Sequence, residues 1–162
     1  MTLDHCAYAM QSTLGQLLAA ADRQALAVAC GDVAANISAT SPATSYAWFV
    51  KALAASETGD ADSMNRALEQ SRITGPFEEW IAEDRVELAE RWYGNLTPSA
   101  RAGHDEDLAL LVRSQRGIVA VGKRYASDPK FRDRIAAIVG AMGPRDQANF
   151  LAQVKRASGA MP

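Results

Sequence analysis

The sequence predicts an all-α protein, and three observations carry that reading. Apolar residues recur at steps of three and four in nearly every segment. Gly and Pro fall in pairs that end one helix and begin the next, and no stretch alternates apolar and polar residues long enough for a strand. Of the 162 residues, 48% are apolar but only 7% aromatic, so the core has to be built mostly from Ala, Leu, Val and Ile. That is enough apolar surface for a packed interior and too much for a disordered chain. The expected architecture is a single domain over 1–162, an array of antiparallel helical hairpins with roughly eight helices.

Leu3, Ala7, Met10, Leu14, Leu17 and Ala21 mark one helical face and predict a helix over 3–21. Leu26, Cys30, Val33 and Ile37 mark a second over 22–38, reached by a turn near Asp22. Ser41-Pro42 ends it, because the residue before proline is driven out of the helical region. A third helix covers 44–57 and stops at Gly59-Asp60; a fourth, with Ala61, Met64, Leu68 and Ser71 on one face, runs to Thr74. Gly75-Pro76 suits the end of one helix and the first turn of the next. The fifth helix, 76–93, carries Phe77, Trp80, Ile81, Leu88 and Trp92, with Glu78 and Glu79 at its positive N-terminal end. Thr97-Pro98 predicts a cap and a short helical turn, and Asp105-Glu106-Asp107 the start of a long helix to Ala126. Asp128-Pro129 and Gly143-Pro144 open the last two, striped by Phe131, Ile135, Ile138 and Met142, then by Phe150, Leu151 and Val154.

A hairpin turning near Asp22 sets Cys6 opposite residue 38. Cys30 then lies ~12 Å away along the axis, beyond the ~7 Å reach of a disulfide. Both cysteines therefore read as small buried apolar side chains. No window approaches the ~18 apolar residues of a membrane span, and residues 1–21 lack a basic leader. The expectation is a chain without a membrane span, cytoplasmic, or periplasmic where an N-terminal signal or anchor has been removed.

A net charge of −2, from 17 basic and 19 acidic residues, argues against a nucleic-acid partner held by bulk attraction. The balance is uneven: residues 1–100 carry 6 basic and 13 acidic side chains, and residues 101–162 carry 11 and 6. Lys123, Arg124, Lys130, Arg132 and Arg134 gather at one helix junction and are expected to be solvated or to face the acidic helix 76–93 within the fold. The alternatives are an anionic partner, a membrane surface, or a homo-oligomer joined head to tail.

Pro42 and Pro76 are 34 residues apart, and residues 45–78 resemble a tetratricopeptide helix pair. Trp48 takes the large-aromatic position, Ala52 and Ala55 the small ones, Gly59-Asp60 the turn, Leu68 the large residue of the second helix, and Pro76 the close. Met64 and Ser71 depart from the pattern where alanine is usual, and residues 11–44 match more weakly. Residues 41–157 are also similar to a bacterial family of Ala-rich helical-repeat proteins associated with exopolysaccharide or O-antigen gene clusters. The residues that carry this are Ser41-Pro42, Trp48, Gly59-Asp60, Ala67-Leu68, Ser71, Gly75-Pro76, Arg85, Leu88, Trp92, Leu96-Thr97-Pro98, and the stretch Ile135 to Pro144 with Phe150. They are packing and turn residues, so the resemblance implies two tetratricopeptide-like pairs over 11–78 and a helical extension over 79–158, and it transfers no catalytic residue.

Carried onto 45–78, the peptide-contact positions of such a pair fall on Tyr46, Phe49, Leu53, Ser56 and Glu57. That apolar groove would suit a partner's helix or extended peptide, unless the chain's own N-terminal helix fills it. Arg85 lies on the apolar stripe of its helix between aromatics and needs a partner, because an unpaired buried guanidinium is expensive. Two readings stand: an internal ion pair, with Asp107 as the candidate, or an anion or ligand contact lined by Trp80 and Trp92. Gln115 interrupts the stripe of its helix, and Gly122 is expected to let a neighbour come close. His5 and His104 have no metal-ligand spacing, and the run Glu78, Glu79, Glu83, Asp84, Glu87 and Glu90 reads as a wet helix face. No catalytic, cofactor or metal motif is found. The expected role is a non-enzymatic scaffold or adaptor for another protein, in cell-envelope polysaccharide assembly by the resemblance. The alternative is a small helical ligand-binding domain or enzyme with a pocket around Arg85, Trp80 and Trp92.

Overall fold

In the computed structural model, which describes residues 2–159, Ser12 divides the first expected helix in two. Helix α1 (Leu3–Gln11) is capped by Thr2, whose hydroxyl accepts the His5 N–H at 3.3 Å. The Ser12 hydroxyl accepts the Gly15 N–H at 3.1 Å and starts a new turn, α2 (Thr13–Gln16). Leu14 and Leu17, expected to continue the buried face, are instead 76% and 75% exposed. The chain turns over 17–19 and continues as α3 (Ala20–Thr40).

That earlier turn corrects the reading of the cysteines. Residues 6 and 30 are equidistant from Leu18, so a turn there sets Cys6 against Cys30 rather than residue 38. The two form a disulfide, with Cα atoms 5.5 Å apart. Closing a loop of this length contributes roughly 3 kcal/mol by restricting the unfolded chain. The buried line of α3 also differs from the expected stripe: it is Ala27, Cys30, Ala34 and Ser38, with Leu26, Val33 and Ile37 half-buried beside it. Small side chains allow close approach to α4 (Ser45–Glu57), where a Cβ added at Gly31 would stand 3.5 Å from the Ala54 Cβ.

The Trp48 indole N–H donates to the Pro42 carbonyl at 2.8 Å and fixes the entry to α4. Gly59 ends the turn after α4 at φ 77°, a backbone conformation that only glycine adopts without strain. Asp60 then caps α5 (Ala61–Thr74) by accepting the Ser63 N–H at 2.9 Å. Helix α4 packs against both α3 and α5, and α1 packs on α3 and α4.

The chain divides into two compact units, Met1–Pro76 with Arg91–Gly103, and Phe77–Glu90 with His104–Pro162. In the first, buried Asn65 clamps the returning segment to α5. Its amide donates to the Ala61 and Asn95 carbonyls at 2.8 and 2.9 Å, and its carbonyl accepts the Thr97 N–H at 3.0 Å. Asn95 ends a short 3-10 turn, Tyr93–Asn95.

In the second unit, α6 spans Glu79–Arg91, so Phe77 lies before the helix and is 81% exposed. Helix α7 (Pro98–Arg113) begins at the Thr97 cap, which accepts the Ala100 N–H at 3.1 Å, and Asp105 to Asp107 fall inside it. The expected run to Ala126 breaks at Ser114, whose hydroxyl accepts the Gly117 N–H at 3.0 Å and opens α8 (Gly117–Ser127). Gln115 sits exposed in that break. Helices α9 (Pro129–Gly140) and α10 (Pro144–Ala157) follow as predicted. Val86, Leu108, Leu111, Val112, Val121, Phe131, Ile135 and Phe150 form the core of this unit. Gly122 admits α10 closely, since a Cβ there would stand 2.9 Å from the Gln153 Cγ. The all-α class is thus realised with ten α-helices among the described residues.

Candidate functional site

Helix α6 places Arg85 among Ile81, Ala82, Leu88 and Ala89 on its buried side, where it is 2% exposed. Its guanidinium donates twice to the Asp107 carboxylate of α7, Nε to Oδ2 and Nη2 to Oδ1, each at 2.7 Å. This fork-on-fork geometry pairs the two charges directly, and it is the internal ion pair for which Asp107 was the candidate. Trp80 of the same unit is 48% exposed, and Trp92 is half-buried in the first unit.

The groove positions on α4 are covered. Phe49, Leu53 and Ser56 are buried, and Tyr46 and Glu57 half-buried, with the Tyr46 ring stacked 6.0 Å from Phe49. Helices α1, α3 and α5 all pack on α4.

Glu90 departs from the wet face expected of its acidic run, since its side chain is fully buried. It accepts from His104 Nε2 at 2.8 Å, from Arg134 Nε at 3.2 Å and from Arg134 Nη2, with Arg124 Nη2 3.8 Å away. Burial alone would push this carboxyl up. The hydrogen bonds from His104 and Arg134, and their charges, outweigh it and hold Glu90 below the ordinary carboxylate range. His104 is therefore a buried partner in mid-helix rather than part of a helix start, while His5 stays exposed beside the Thr2 hydroxyl at 2.9 Å.

The second unit also carries an open cleft of about 620 Å³. Val86, Leu111, Val121 and Phe131 give it an apolar floor. Glu83, Asp84 and Glu87 of α6 form one wall, and Lys123 and Arg124 of α8 stand on the other, with Asp128 beside them. Burial pushes the Asp84 carboxyl up to about 6, and repulsion from Glu87 and Glu83 adds to it, against the opposing pull of Arg116 and Arg85. Glu83 accepts from Arg116 Nη2 at 2.9 Å. Arg124 lies over the Phe131 ring at 5.2 Å and its Nε is 3.5 Å from Asp128. The N–H of Phe131 holds Asp128 below its ordinary value. An apolar floor with convergent charges and a displaced carboxyl pKa is the usual make-up of a binding site.

The acidic residues of α6 and the basic residues of α8 in this cleft were each singled out in the sequence, where the basic cluster was expected to be solvated or to face helix 76–93. The apolar floor was not singled out, because Val86, Leu111, Val121 and Phe131 come from four helices. Among the described residues, no group of three or more His, Cys, Asp or Glu side chains is placed to hold a metal ion. No helix among them is long and apolar enough to cross a membrane. Compared with family models, curated proteins and solved structures, the chain has no match.

Proposed function

We propose that the protein is a non-enzymatic scaffold or adaptor that holds another protein in the cleft of its second unit. The observation that carries this reading is the cleft's composition: an apolar floor between walls of opposite charge. An extended segment with an apolar side chain flanked by a basic and an acidic one complements it. The floor supplies affinity and the walls set the direction in which the segment lies. The bidentate pairing of Arg85 with Asp107 and the burial of Glu90 support a rigid holder, since they fix α6 against α7 and α9. The system served would be a cell-envelope polysaccharide assembly, on the resemblance of residues 41–157 alone.

The test is cross-linked capture from extracts of the cells that make the protein. The comparison is with a Glu87→Lys/Lys123→Glu chain, in which two exposed walls exchange sign. Loss of the captured band, with helical circular dichroism unchanged, is the expected result. Equal capture by both chains would overturn the reading.

A further inference from the structure

We infer that Asp84 is the residue that selects the partner in the cleft of the second unit, and that it takes a lysine or arginine side chain whose apolar stem lies on the cleft floor. The assignment rests on that cleft being the docking site, and it names the chemistry the docked segment has to carry.

Most charges around the cleft are already engaged within the chain. Glu83 accepts from Arg116 Nη2 at 2.9 Å, and Glu87 has a partner as well. On the facing wall, Arg124 stands 3.5 Å from Asp128 and 3.8 Å from buried Glu90, with its guanidinium over the Phe131 ring. Two lining charges differ. Among the described residues, the side chains of Asp84 and Lys123 make no hydrogen bond or ion pair. Lys123 is exposed and water can serve it, whereas Asp84 is half-buried.

A half-buried carboxylate without a counterion loses hydration and gets no hydrogen bond in return. Its pKa, pushed up to about 6, follows from that: burial is the first cause, and Glu87 and Glu83 add to it against the pull of Arg116 and Arg85. A cation brought by the partner relieves both causes. The floor of Val86, Leu111, Val121 and Phe131 narrows the kind of cation. A hydrated metal ion or a small amine would leave that floor wet. The long stem of lysine or arginine covers it while the charged tip reaches the wall. Lys123 on the other wall draws an acidic residue to its side and so sets the direction of the segment.

NMR titration of the isotope-labelled full chain tests this with two blocked peptides, acetyl-aspartyl-leucyl-lysinamide and its norleucine analogue, which keeps the stem and lacks the charge. At pH 8 the lysyl peptide should bind on the order of 10-fold more tightly. Saturating the cleft with it should bring the Asp84 carboxyl, read from its own carbon resonance, back toward the ordinary aspartate range. The norleucyl peptide should leave that resonance titrating as before. In the Asp84→Asn chain, checked as folded by its amide spectrum, most of the preference for the lysyl peptide should vanish while the norleucyl peptide binds as before. Equal binding of the two peptides by the unaltered chain would overturn the inference. So would a preference kept in full by Asp84→Asn, or binding of neither peptide. The capture comparison with the Glu87→Lys/Lys123→Glu chain reports separately on the scaffold reading, so the two can fail independently.

Discussion

Cys30 in the first unit and Arg85 in the second both sit on the buried face of a helix, and they hold that helix by opposite means. Cys30 joins Cys6 through a covalent bond, on a helix whose buried line is otherwise Ala and Ser. Arg85 joins Asp107 through charge, in a unit where Glu90 gathers His104 and Arg134 as well. The composition follows the same division. The first unit has 6 basic and 7 acidic residues, and the second, though shorter, has 11 and 12. Each unit therefore nets −1, and the contrast between an acidic first part of the chain and a basic remainder is settled inside the second unit, where α6 meets α8 and α9. Small side chains let helices approach closely but leave little area to bury, which suits a covalent link. Long charged side chains span wider spaces but require every charge to find its counterpart.

The comparison breaks most visibly at Asp107. Asp107→Ala leaves a buried guanidinium without its carboxylate and should cost about 3–5 kcal/mol, lowering Tm on the order of 10 °C in thermal unfolding. Arg85→Met with Asp107→Leu should recover most of that loss, because the pair is replaced and not halved. A single substitution costing under about 1 kcal/mol would show that charge pairing is not what holds this unit. Next in size is Cys6→Ala with Cys30→Ala. It should cost about 3 kcal/mol, and that loss should be the same at low and high salt, since no ion pair is touched.

The smallest effect is a gain. Asp84 titrates at about 6 in the fold, above the ~4 of an unfolded aspartate, so the folded state holds its proton more tightly. Ionising it costs stability as pH rises between those values, and the cost persists at higher pH. Asp84→Asn should therefore stabilise by about 1 kcal/mol at pH 8, the full shift being discounted because the carboxyl is partly in water. At pH 4 it should change little. The same titration sharpens the cleft: a cationic partner should bind Asp84 less well as pH falls through that range.

Much of the fold was legible because turn chemistry is local. Ser41-Pro42, Gly59-Asp60, Asp128-Pro129 and Gly143-Pro144 each act through their own backbone, and the helices begin and end where they predict. Arg85 with Asp107 was legible for a different reason: a charge on an apolar stripe demands an opposite charge, and few were within reach. The failures are failures of register and of competition between caps. Ser12 took the Gly15 N–H and moved a turn by four residues, which was enough to hide the disulfide. Thr97 started α7 well before the acidic triplet that also looked like a helix start. Glu90 was lost in a run of like residues, because nothing in helical spacing tells which carboxylate of several meets a histidine and an arginine from distant segments. The groove positions expected on α4 are buried or half-buried side chains. Their covering by α1, α3 and α5 depends on packing that spacing does not express.

The clamp at Asn65 constrains how the protein is made. Two of its three hydrogen bonds form only once Asn95 and Thr97 exist, and both residues come after the chain has passed through the first stretch of the other unit. A nascent chain ending at residue 76 carries α1 to α5 but leaves two of the Asn65 hydrogen bonds unmade, at a cost of about 1–3 kcal/mol. The first unit is therefore the first to begin folding on the ribosome but cannot finish there by itself. A cut between residues 78 and 79 would separate neither unit whole.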